Sequence, residues 1–335
     1  MGTTMLAQRI HAYGGADQCW LEEAPRPEPA PGEALVQLAV AGLNFIDVHL
    51  RLGRYAKSDT YRNALPMTLG MEGAGTVVAV GEGVTDVAVG DRVAWCIVRG
   101  SFAQFAAVPQ GRLVRVPDGL SFDSACALML QGLTAHYLSH SAFELRPGHT
   151  CLVHAAAGGV GGLLVQLARI CGATVIGTVG STEKAALAQA LGCHHTILYK
   201  EQDFRDEVLR LTDGAGVHVV YDSIGRDTIA RSIRSLRRRG LCINYGGASG
   251  LVESIVPLEL GEAGSVYFTR PHLADYLATP DELRGRAREL FEHVAAGRLQ
   301  VNIDRRFALA DLRAAMDHLE AGRTRGKLLL DPPPC

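Results

Sequence analysis

The sequence contains neither a long apolar stretch nor a strong charge of either sign. No apolar run approaches the ~20 residues that a helix needs to cross a bilayer. The formal net charge is −2 at pH 7, so the overall charge does not favour binding to nucleic acid or to an acidic membrane. Residues 1–9 lack the apolar block of a signal peptide and reach a charge at Arg9. We therefore expect a cytoplasmic protein that is not embedded in a membrane.

Paired cysteines of the kind that bind metals are also missing. The chain has 8 cysteines, and none of them forms a C-x-x-C pair, which argues against a zinc knuckle or a dithiol redox centre. Cys151 and Cys242 lie in apolar runs that are typical of buried strands. We interpret both as small core residues.

The 335 residues, of which 47% are apolar, are enough for about two domains. Residues 1–125 alternate short apolar runs with turns, which predicts an antiparallel β domain with strands at 34–41, 73–80 and 92–97. A different pattern begins near residue 126. Strands predicted at 151–155, 174–178, 195–198, 217–221 and 241–245 alternate there with helices at 160–171, 183–191, 204–211 and 228–236. Continuous apolar strands separated by helices indicate a parallel sheet with both faces covered.

Three further elements are expected after residue 245. Residues 265–268 could add a sixth strand to the parallel sheet, and residues 281–296 are predicted to be helical. The last strand, at 327–330, is expected to return to the first domain.

A glycine-rich turn, V-H-A-A-A-G-G-V-G-G at 153–162, joins the first parallel strand to its helix. In a dinucleotide fingerprint, Ala156, Gly158 and Gly161 would hold the three glycine positions, and the N–H groups of Gly159 and Val160 would face a pyrophosphate at the helix N-terminus. Gly158 would allow the backbone to approach the pyrophosphate, and Gly161 would allow the helix to pack close to the strand. The alternative is a tight turn that binds no ligand.

The end of the second parallel strand favours NADPH over NADH. NAD-binding proteins carry an acidic residue there for the ribose 2′-hydroxyl, whereas this chain has Gly180. Lys184 could pair with a 2′-phosphate, and Ser181 could hydrogen-bond to it. Glu183 is interpreted as an acidic residue that the helix dipole favours in a first turn.

These motifs together resemble the quinone oxidoreductases, the zeta-crystallin-like and zinc-free branch of the medium-chain dehydrogenase/reductase superfamily. The matching segments follow the family's order over nearly the whole chain: N-F-I-D at 44–47, G-M-E-G-A-G at 70–75, residues 87–93, Q-G-L-T at 131–134, residues 154–161, G-T-V-G at 177–180, V-Y-D-S-I-G-R-D-T at 220–228 and T-R-P at 269–271. The set is specific, although no single segment would be.

The resemblance implies a two-domain α/β protein. A GroES-like, β-rich catalytic domain would comprise residues 1–128 and 270–335, and a Rossmann domain with a doubly wound parallel sheet would comprise residues 129–269. The cofactor, NADPH, would lie in the cleft between them. Family dimers pair their sixth strands, so residues 265–268 are the expected edge of a homodimer.

The resemblance also assigns site residues. The 2′-phosphate contacts fall on Gly180, Lys184 and Tyr199, and Ser223 belongs to the matched cofactor-binding segments. The nicotinamide and ribose contacts fall near Asn44, Tyr55, Thr134, Gly246, Gly247, Phe268, Arg270 and Lys327. Two residues depart from a close branch of the family, which has Lys at Gln131 and Tyr at His49.

No zinc is expected. The superfamily's zinc enzymes have Cys at Asn44 and His at Met71, and residues 129–132 offer no third ligand. Hydride transfer to a quinone would then depend on hydrogen bonds from Asn44, Tyr55 and His49. Each has a structural alternative: Asn44 as a loop-capping amide, Tyr55 as a packed ring and His49 as a rim or surface histidine. Asp47 could cap a helix.

Two other functions remain open. One is an NADPH-dependent reductase of α,β-unsaturated ketones or aldehydes, which needs the same hydride donor. The other is an RNA-binding or crystallin-like protein that retains NADPH binding. Its only support is a set of five arginines, interpreted more simply as solvated cations at a helix C-terminus: Arg231, Arg234, Arg237, Arg238 and Arg239.

Overall fold

The computed structural model describes residues 3–58, 61 and 64–334, which fold into two compact units. The first comprises Met1–Leu130, Leu277–Ala295 and Ile303–Cys335, and the second comprises Gln131–Tyr276 and Ala296–Asn302. Within the described ranges, no helix is long and apolar enough to span a membrane.

The first unit is built on β-sheets. Numbered along the whole chain, its elements are β1 (Thr4–Ile10), β2 (Trp20–Pro25), β3 (Glu33–Leu43), α1 (Phe45–Arg51), β4 (Met67–Thr68), β5 (Glu72–Val80), β6 (Arg92–Cys96), β7 (Phe105–Pro109), β8 (Val114–Arg115), α2 (Phe122–Ala127), α9 (Pro280–Ala295), β15 (Ile303–Ala308), α10 (Leu312–Glu320) and β16 (Lys327–Asp331). A three-stranded sheet has the order β2-β1-β4, and a seven-stranded sheet has the order β15-β16-β3-β5-β6-β8 with β7 also paired to β3.

Most pairs in this unit are antiparallel, and β15–β16 is a parallel pair. Trp95, Phe102 and Leu43 are fully buried in its core together with Leu328 and Leu330 of β16. The returning C-terminal strand is therefore an integral part of this core.

The second unit is a parallel sheet with helical connections. Its elements are α3 (Leu133–Tyr137), β9 (Thr150–Val153), α4 (Gly159–Ile170), β10 (Thr174–Val179), α5 (Thr182–Leu191), β11 (His195–Leu198), α6 (Phe204–Leu211), β12 (Val217–Asp222), α7 (Ile229–Arg234), β13 (Leu236–Asn244), α8 (Pro257–Glu262) and β14 (Tyr267–Thr269). The strand order is β11-β10-β9-β12-β13-β14, and every pair is parallel. The order reverses between β9 and β12, where doubly wound sheets bind ligands at the carboxyl ends of the strands.

The prediction for the arginine set is wrong in part. Helix α7 ends at Arg234, and Arg237, Arg238 and Arg239 lie in the exposed first half of β13. Arg231 pairs with Asp203 at 3.1 Å. The five side chains therefore do not share one helix end. Three successive basic residues resemble a helix C-terminus in the sequence. In the structure they precede the part of β13 that pairs with β14, at a register shift in its pairing with β12, and their side chains are exposed.

Candidate functional site

The predicted glycine-rich turn lies between β9 and α4. Gly158 is the N-cap residue of α4 and has extended backbone angles. Its N–H donates to the Ala155 carbonyl at 2.8 Å, and its own carbonyl accepts from Gly162 at 2.8 Å. Ala155 adopts a φ of 52°, in the left-handed region that side chains disfavour. The chain therefore reverses within four residues and directs the first turn of α4 past the end of the sheet.

Gly158 and Gly161 have different surroundings. A Cβ at position 161 would lie 2.2 Å from the Ala155 carbonyl oxygen, which is backbone and cannot easily move. A Cβ at position 158 would meet nothing closer than that oxygen at 3.1 Å. Packing of the turn requires glycine at 161. Position 158 leaves space beside the first N–H groups of α4, those of Gly159 and Val160, where an anion can approach.

Ala156 replaces the first glycine of the fingerprint and is fully buried. Its neighbour on β10 is Gly177, where an added Cβ would lie only 2.6 Å from the Ala156 Cβ. The missing side chain on β10 therefore compensates for the extra methyl group in the turn. The sequence analysis identified both residues but not this relation between them.

The residues predicted for a 2′-phosphate lie at the carboxyl ends of β10 and β11. Ser181 is the N-cap residue of α5, and its Oγ accepts the Lys184 N–H at 3.3 Å. A Cβ at Gly180 would lie 3.1 Å from the Tyr199 hydroxyl, so Tyr199 lies directly beside Gly180. Lys184 is half-buried and Tyr199 is exposed.

Other predicted cofactor residues lie on several elements of the second unit. A Cβ at Gly246 would lie 2.5 Å from the Ser223 carbonyl oxygen, so the ends of β12 and β13 approach closely, and Gly247 follows directly. Phe268 is on β14, and the Arg270 guanidinium donates to the Pro271 carbonyl. Thr134 is buried on α3. Gln131, not among the predicted contacts, places its side-chain amide against Gly159.

In the first unit, Asn44 is the N-cap residue of α1 and part of a buried polar cluster. Its amide donates to the Gly42 carbonyl at 3.2 Å and to Glu72 Oε2 at 2.9 Å. Its Oδ1 accepts from Lys327 Nζ at 2.8 Å. Both amide N–H groups are thus engaged within the protein, which supports the capping interpretation of Asn44.

Glu72 is the centre of this cluster, and the sequence analysis did not identify it. Its carboxylate pairs with the Lys327 ammonium, and both side chains are at most 1% exposed. Its Oε1 also accepts the Leu130 N–H at 2.5 Å. The available signal was a glutamate between glycines at the start of an apolar strand. The contacts of Lys327 are with Glu72 and Asn44, although the resemblance assigned Lys327 to the nicotinamide or ribose.

Asp47 caps α1, as one interpretation predicted. Its Oδ2 accepts the Asn44 N–H at 2.9 Å. The side chain is fully buried, and Oδ1 has no hydrogen-bond partner among the described residues. Burial raises the pKa of this carboxyl to about 7; the Glu72 charge adds to the rise, and the Asn44 N–H and Lys327 oppose it.

His49 and Tyr55 contact each other. Their rings meet edge to face with centroids 5.8 Å apart. The Arg54 guanidinium lies 3.0 Å from His49 Nδ1, and because a guanidinium can only donate, the proton of the neutral imidazole resides on Nε2. His49 is 5% exposed, which argues against a surface histidine, and Tyr55 is half-buried.

The expected positions of zinc ligands are occupied by Asn44, Met71 and Leu130. Met71 is buried, and the Leu130 backbone is bonded to Glu72. Residues 3–58, 61 and 64–334 contain no group of three His, Cys, Asp or Glu side chains that could hold a metal ion. That the enzymatic activity needs no metal ion stays a prediction.

Comparison with known proteins identifies the family. Residues 30–118 match the alcohol dehydrogenase GroES-like domain, and residues 159–271 match the family described as zinc-binding dehydrogenase. A quinone oxidoreductase of Pseudomonas aeruginosa is 43% identical over 330 residues, covering 98% of this chain and 100% of the relative. The chain belongs to the quinone oxidoreductase family. The predicted resemblance and fold class are thereby confirmed.

Two further relatives carry information about the cofactor and the reaction. The Escherichia coli quinone oxidoreductase complexed with NADPH superposes with a TM-score of 0.94 at 37% identity, covering 98% of this chain and 100% of that one. A 2-haloacrylate reductase of a Burkholderia species is 41% identical over 332 residues, covering 98% of this chain and 99% of the relative.

Proposed function

We propose that this chain is an NADPH-dependent quinone oxidoreductase that transfers hydride to a quinone without a metal. The observation that carries this proposal is the turn at Gly158 together with Gly180, which follows β10 directly where NAD-binding proteins have an acidic residue. A relative with the same fold has been solved with NADPH. The second unit would be the dinucleotide-binding domain and the first unit the catalytic domain.

Different residues of the second unit would bind different parts of NADPH. The N–H groups of Gly159 and Val160 would bind the pyrophosphate, because the start of a helix presents unpaired donors and a positive dipole. Lys184, Ser181 and Tyr199 would bind the 2′-phosphate beside Gly180. The other predicted contacts would surround the ribose and the nicotinamide: Thr134, Ser223, Gly246, Gly247, Phe268 and Arg270.

NADPH supplies the hydride when bound, so the chain itself must orient the quinone and stabilise negative charge on its oxygen. We assign the hydrogen-bond donors to the Tyr55 hydroxyl and His49 Nε2–H, since both amide N–H groups of Asn44 already bond within the protein. Asn44 then acts by positioning α1, which carries His49. Solvent can protonate the hydroquinone anion afterwards.

Quinone turnover at saturating NADPH tests this division of roles. We expect Tyr55→Phe to lose about tenfold to a hundredfold in rate, which corresponds to one lost donor. Asn44→Ala should act through α1 and therefore leave the pH profile unchanged. If His49→Ala alone abolished turnover and removed a titration near neutral pH, then His49 would be the proton donor, and protonation of the hydroquinone anion by solvent would be wrong.

Reduction of α,β-unsaturated carbonyl compounds is the second candidate, favoured by the similarity to a 2-haloacrylate reductase. Both reactions use the same hydride donor and differ in the acceptor atom. The discriminating experiment measures kcat/KM for a 1,4-quinone, an enone and a 2-haloacrylate at equal NADPH. A higher value for the quinone supports the proposal, and a higher value for either other substrate overturns it.

The protein is proposed to be a cytoplasmic homodimer that pairs through β14. This strand lies at the edge of the six-stranded sheet, and exposed apolar side chains lie on it and before it, at Val256, Leu258 and Tyr267. An open strand edge beside apolar surface favours pairing with a second copy. In sedimentation, Leu258→Arg should shift a dimer toward monomer, whereas Val89→Arg, at an equally exposed valine of the first unit, should not. Unchanged sedimentation of both variants would contradict this interface.

A further inference from the structure

Four buried side chains form a continuous hydrogen-bonded chain in the second unit, and none of them has been assigned a role above. His154 follows β9, Thr178 is on β10, Asp222 ends β12 and Ser232 is on α7. All four are at most 2% exposed. His154 Nδ1 lies 2.9 Å from Thr178 Oγ1, its Nε2 lies 3.0 Å from Ser232 Oγ, and Ser232 Oγ donates to Asp222 Oδ2 at 2.7 Å.

The direction of each hydrogen bond follows from the Asp222 carboxylate. Ser232 has one hydroxyl proton and donates it to Asp222, so its oxygen accepts from His154 Nε2–H. His154 Nδ1 then accepts the Thr178 hydroxyl proton. Burial lowers the pKa of His154, although the Asp222 charge opposes this effect. Both effects leave the hydrogen bonds to Thr178 and Ser232 as the features that define the tautomer, with the proton on Nε2.

Asp222 also organises the loop that follows β12. Its Oδ1 accepts the N–H groups of Ile224 and Gly225, each at 2.9 Å. The Thr228 hydroxyl donates to the same carboxylate at 2.8 Å. Three donors between β12 and α7, in the loop that begins with Ser223, thus converge on one buried carboxylate.

Three members of the network adjoin proposed cofactor-binding segments. His154 directly precedes the turn that leads to Gly158. Thr178 lies two residues before Gly180, and its carbonyl accepts the Ala156 N–H at 3.1 Å. Asp222 directly precedes Ser223. The network therefore connects three segments: the turn at Gly158, the residues around Gly180 and the loop after β12.

We propose that His154 is a positioning residue that holds these three segments in the arrangement required by NADPH. It does so through Thr178, Ser232 and Asp222. Backbone donors bind an anion best when their directions are fixed before binding. The inference rests on the proposed function, since it requires that NADPH occupies this site.

The test compares two serines of similar burial near the end of α7. Ser232→Ala breaks the link between His154 and Asp222. Ser235→Ala removes a hydroxyl that donates only to the Arg231 carbonyl of the same helix. We expect Ser232→Ala to raise the Kd of NADPH, measured by nucleotide fluorescence, by about fivefold or more, as loss of a buried hydrogen bond implies. KM for NADPH should rise with little change in kcat, and Ser235→Ala should bind like the wild type.

A second pair of variants at Thr178 covers the case in which Ser232→Ala does not fold. Thr178→Val keeps the shape but loses the donor to His154 and should weaken binding, whereas Thr178→Ser keeps the hydroxyl and should restore it. Wild-type NADPH affinity in folded Ser232→Ala and Thr178→Val would overturn the inference and leave the proposed function intact. If the wild type itself bound no NADPH, the proposed function would fail, and this inference with it.

Discussion

Selectivity for NADPH depends on a small number of side chains around Gly180. The Lys184 ammonium is the nearest cation on α5 that could pair with a 2′-phosphate. Lys184→Ala should weaken NADPH binding by about 1–3 kcal/mol, the range for a charge-assisted hydrogen bond. Binding of NADH, which lacks the phosphate, should stay constant. Titration with both nucleotides measures this, with Lys200→Ala as a control for the general loss of positive charge; equal weakening for NADPH and NADH would contradict the assignment.

Asp47 should make stability depend on pH. Its folded pKa of about 7 is above the ordinary value near 4 of an unfolded chain. Between these values the folded state binds more protons than the unfolded state, so this group's stabilisation is complete below about pH 4 and is lost as the pH rises through about 7. Asp47→Asn removes this titration and should retain an acceptor for the Asn44 N–H.

The measurement is the free energy of unfolding in urea at about pH 5 and about pH 8. The wild type should lose more stability between these pH values than Asp47→Asn does. The exposed carboxyl of Asp118 provides the control, since Asp118→Asn should leave the wild-type difference unchanged. An equal pH dependence of Asp47→Asn and the wild type would show that Asp47 titrates normally.

The turn between β9 and α4 contains two glycines that should respond differently to substitution. Gly158→Val should fold, because its backbone angles suit any residue and its Cβ, 3.1 Å from the Ala155 carbonyl oxygen, needs a shift of only a few tenths of an ångström. It should nevertheless bind NADPH poorly, because the branched side chain blocks the approach of the pyrophosphate. Gly161→Ala should instead lose stability, because its Cβ would lie 2.2 Å from a backbone oxygen. Thermal unfolding and NADPH titration of both variants separate these effects; normal binding by folded Gly158→Val would contradict the assignment.

The parallel strands could be predicted from the sequence because each is a short apolar run between helical patterns. The predicted strand at 195–198 matches β11, and the strand at 174–178 differs from β10 by one residue at its end. The prediction missed the first half of β13, because residues 237–239 are charged and exposed. Local sequence indicates a strand only where the sheet buries it.

Those parts of the candidate site that are formed by residues close together in the sequence could be predicted. The turn and Gly180 follow from motifs within one βαβ unit. The ion pair of Glu72 and Lys327 joins residues that are 255 positions apart, so no local pattern could reveal it. For the same reason the sequence leaves Asn44 open between a hydrogen-bond donor to the quinone and a loop-capping amide, since its partner on β16 cannot be found from neighbouring residues.

Across the whole chain, the contact between Glu72 and Lys327 joins β5 to the C-terminal strand. Glu72→Gln leaves the Lys327 ammonium buried without a counter-charge and should cost about 3–5 kcal/mol. The double variant Glu72→Gln/Lys327→Met removes both charges and should recover much of this loss. Urea unfolding measures both.

An exposed ion pair supplies the control for this comparison. Glu207→Gln, which breaks the pair with Arg210 on α6, should cost less than about 1 kcal/mol. If Glu72→Gln and the double variant were equally unstable, the lost hydrogen bonds of Glu72 and not the unpaired ammonium would explain the effect.

Strand β16 also has a consequence for folding during synthesis. Its residues Leu328, Leu329 and Leu330 pair with Leu43, Gly42 and Ala41 of β3, and its Lys327 neutralises Glu72. Until the ribosome has translated residues 327–331, that part of β3 has no neighbour on this side and Glu72 has no counter-ion. The six strands of the parallel sheet have all been made by residue 269. We therefore expect the sheet that is translated second to be completed first, while the earlier half of the nascent chain waits for its final strand.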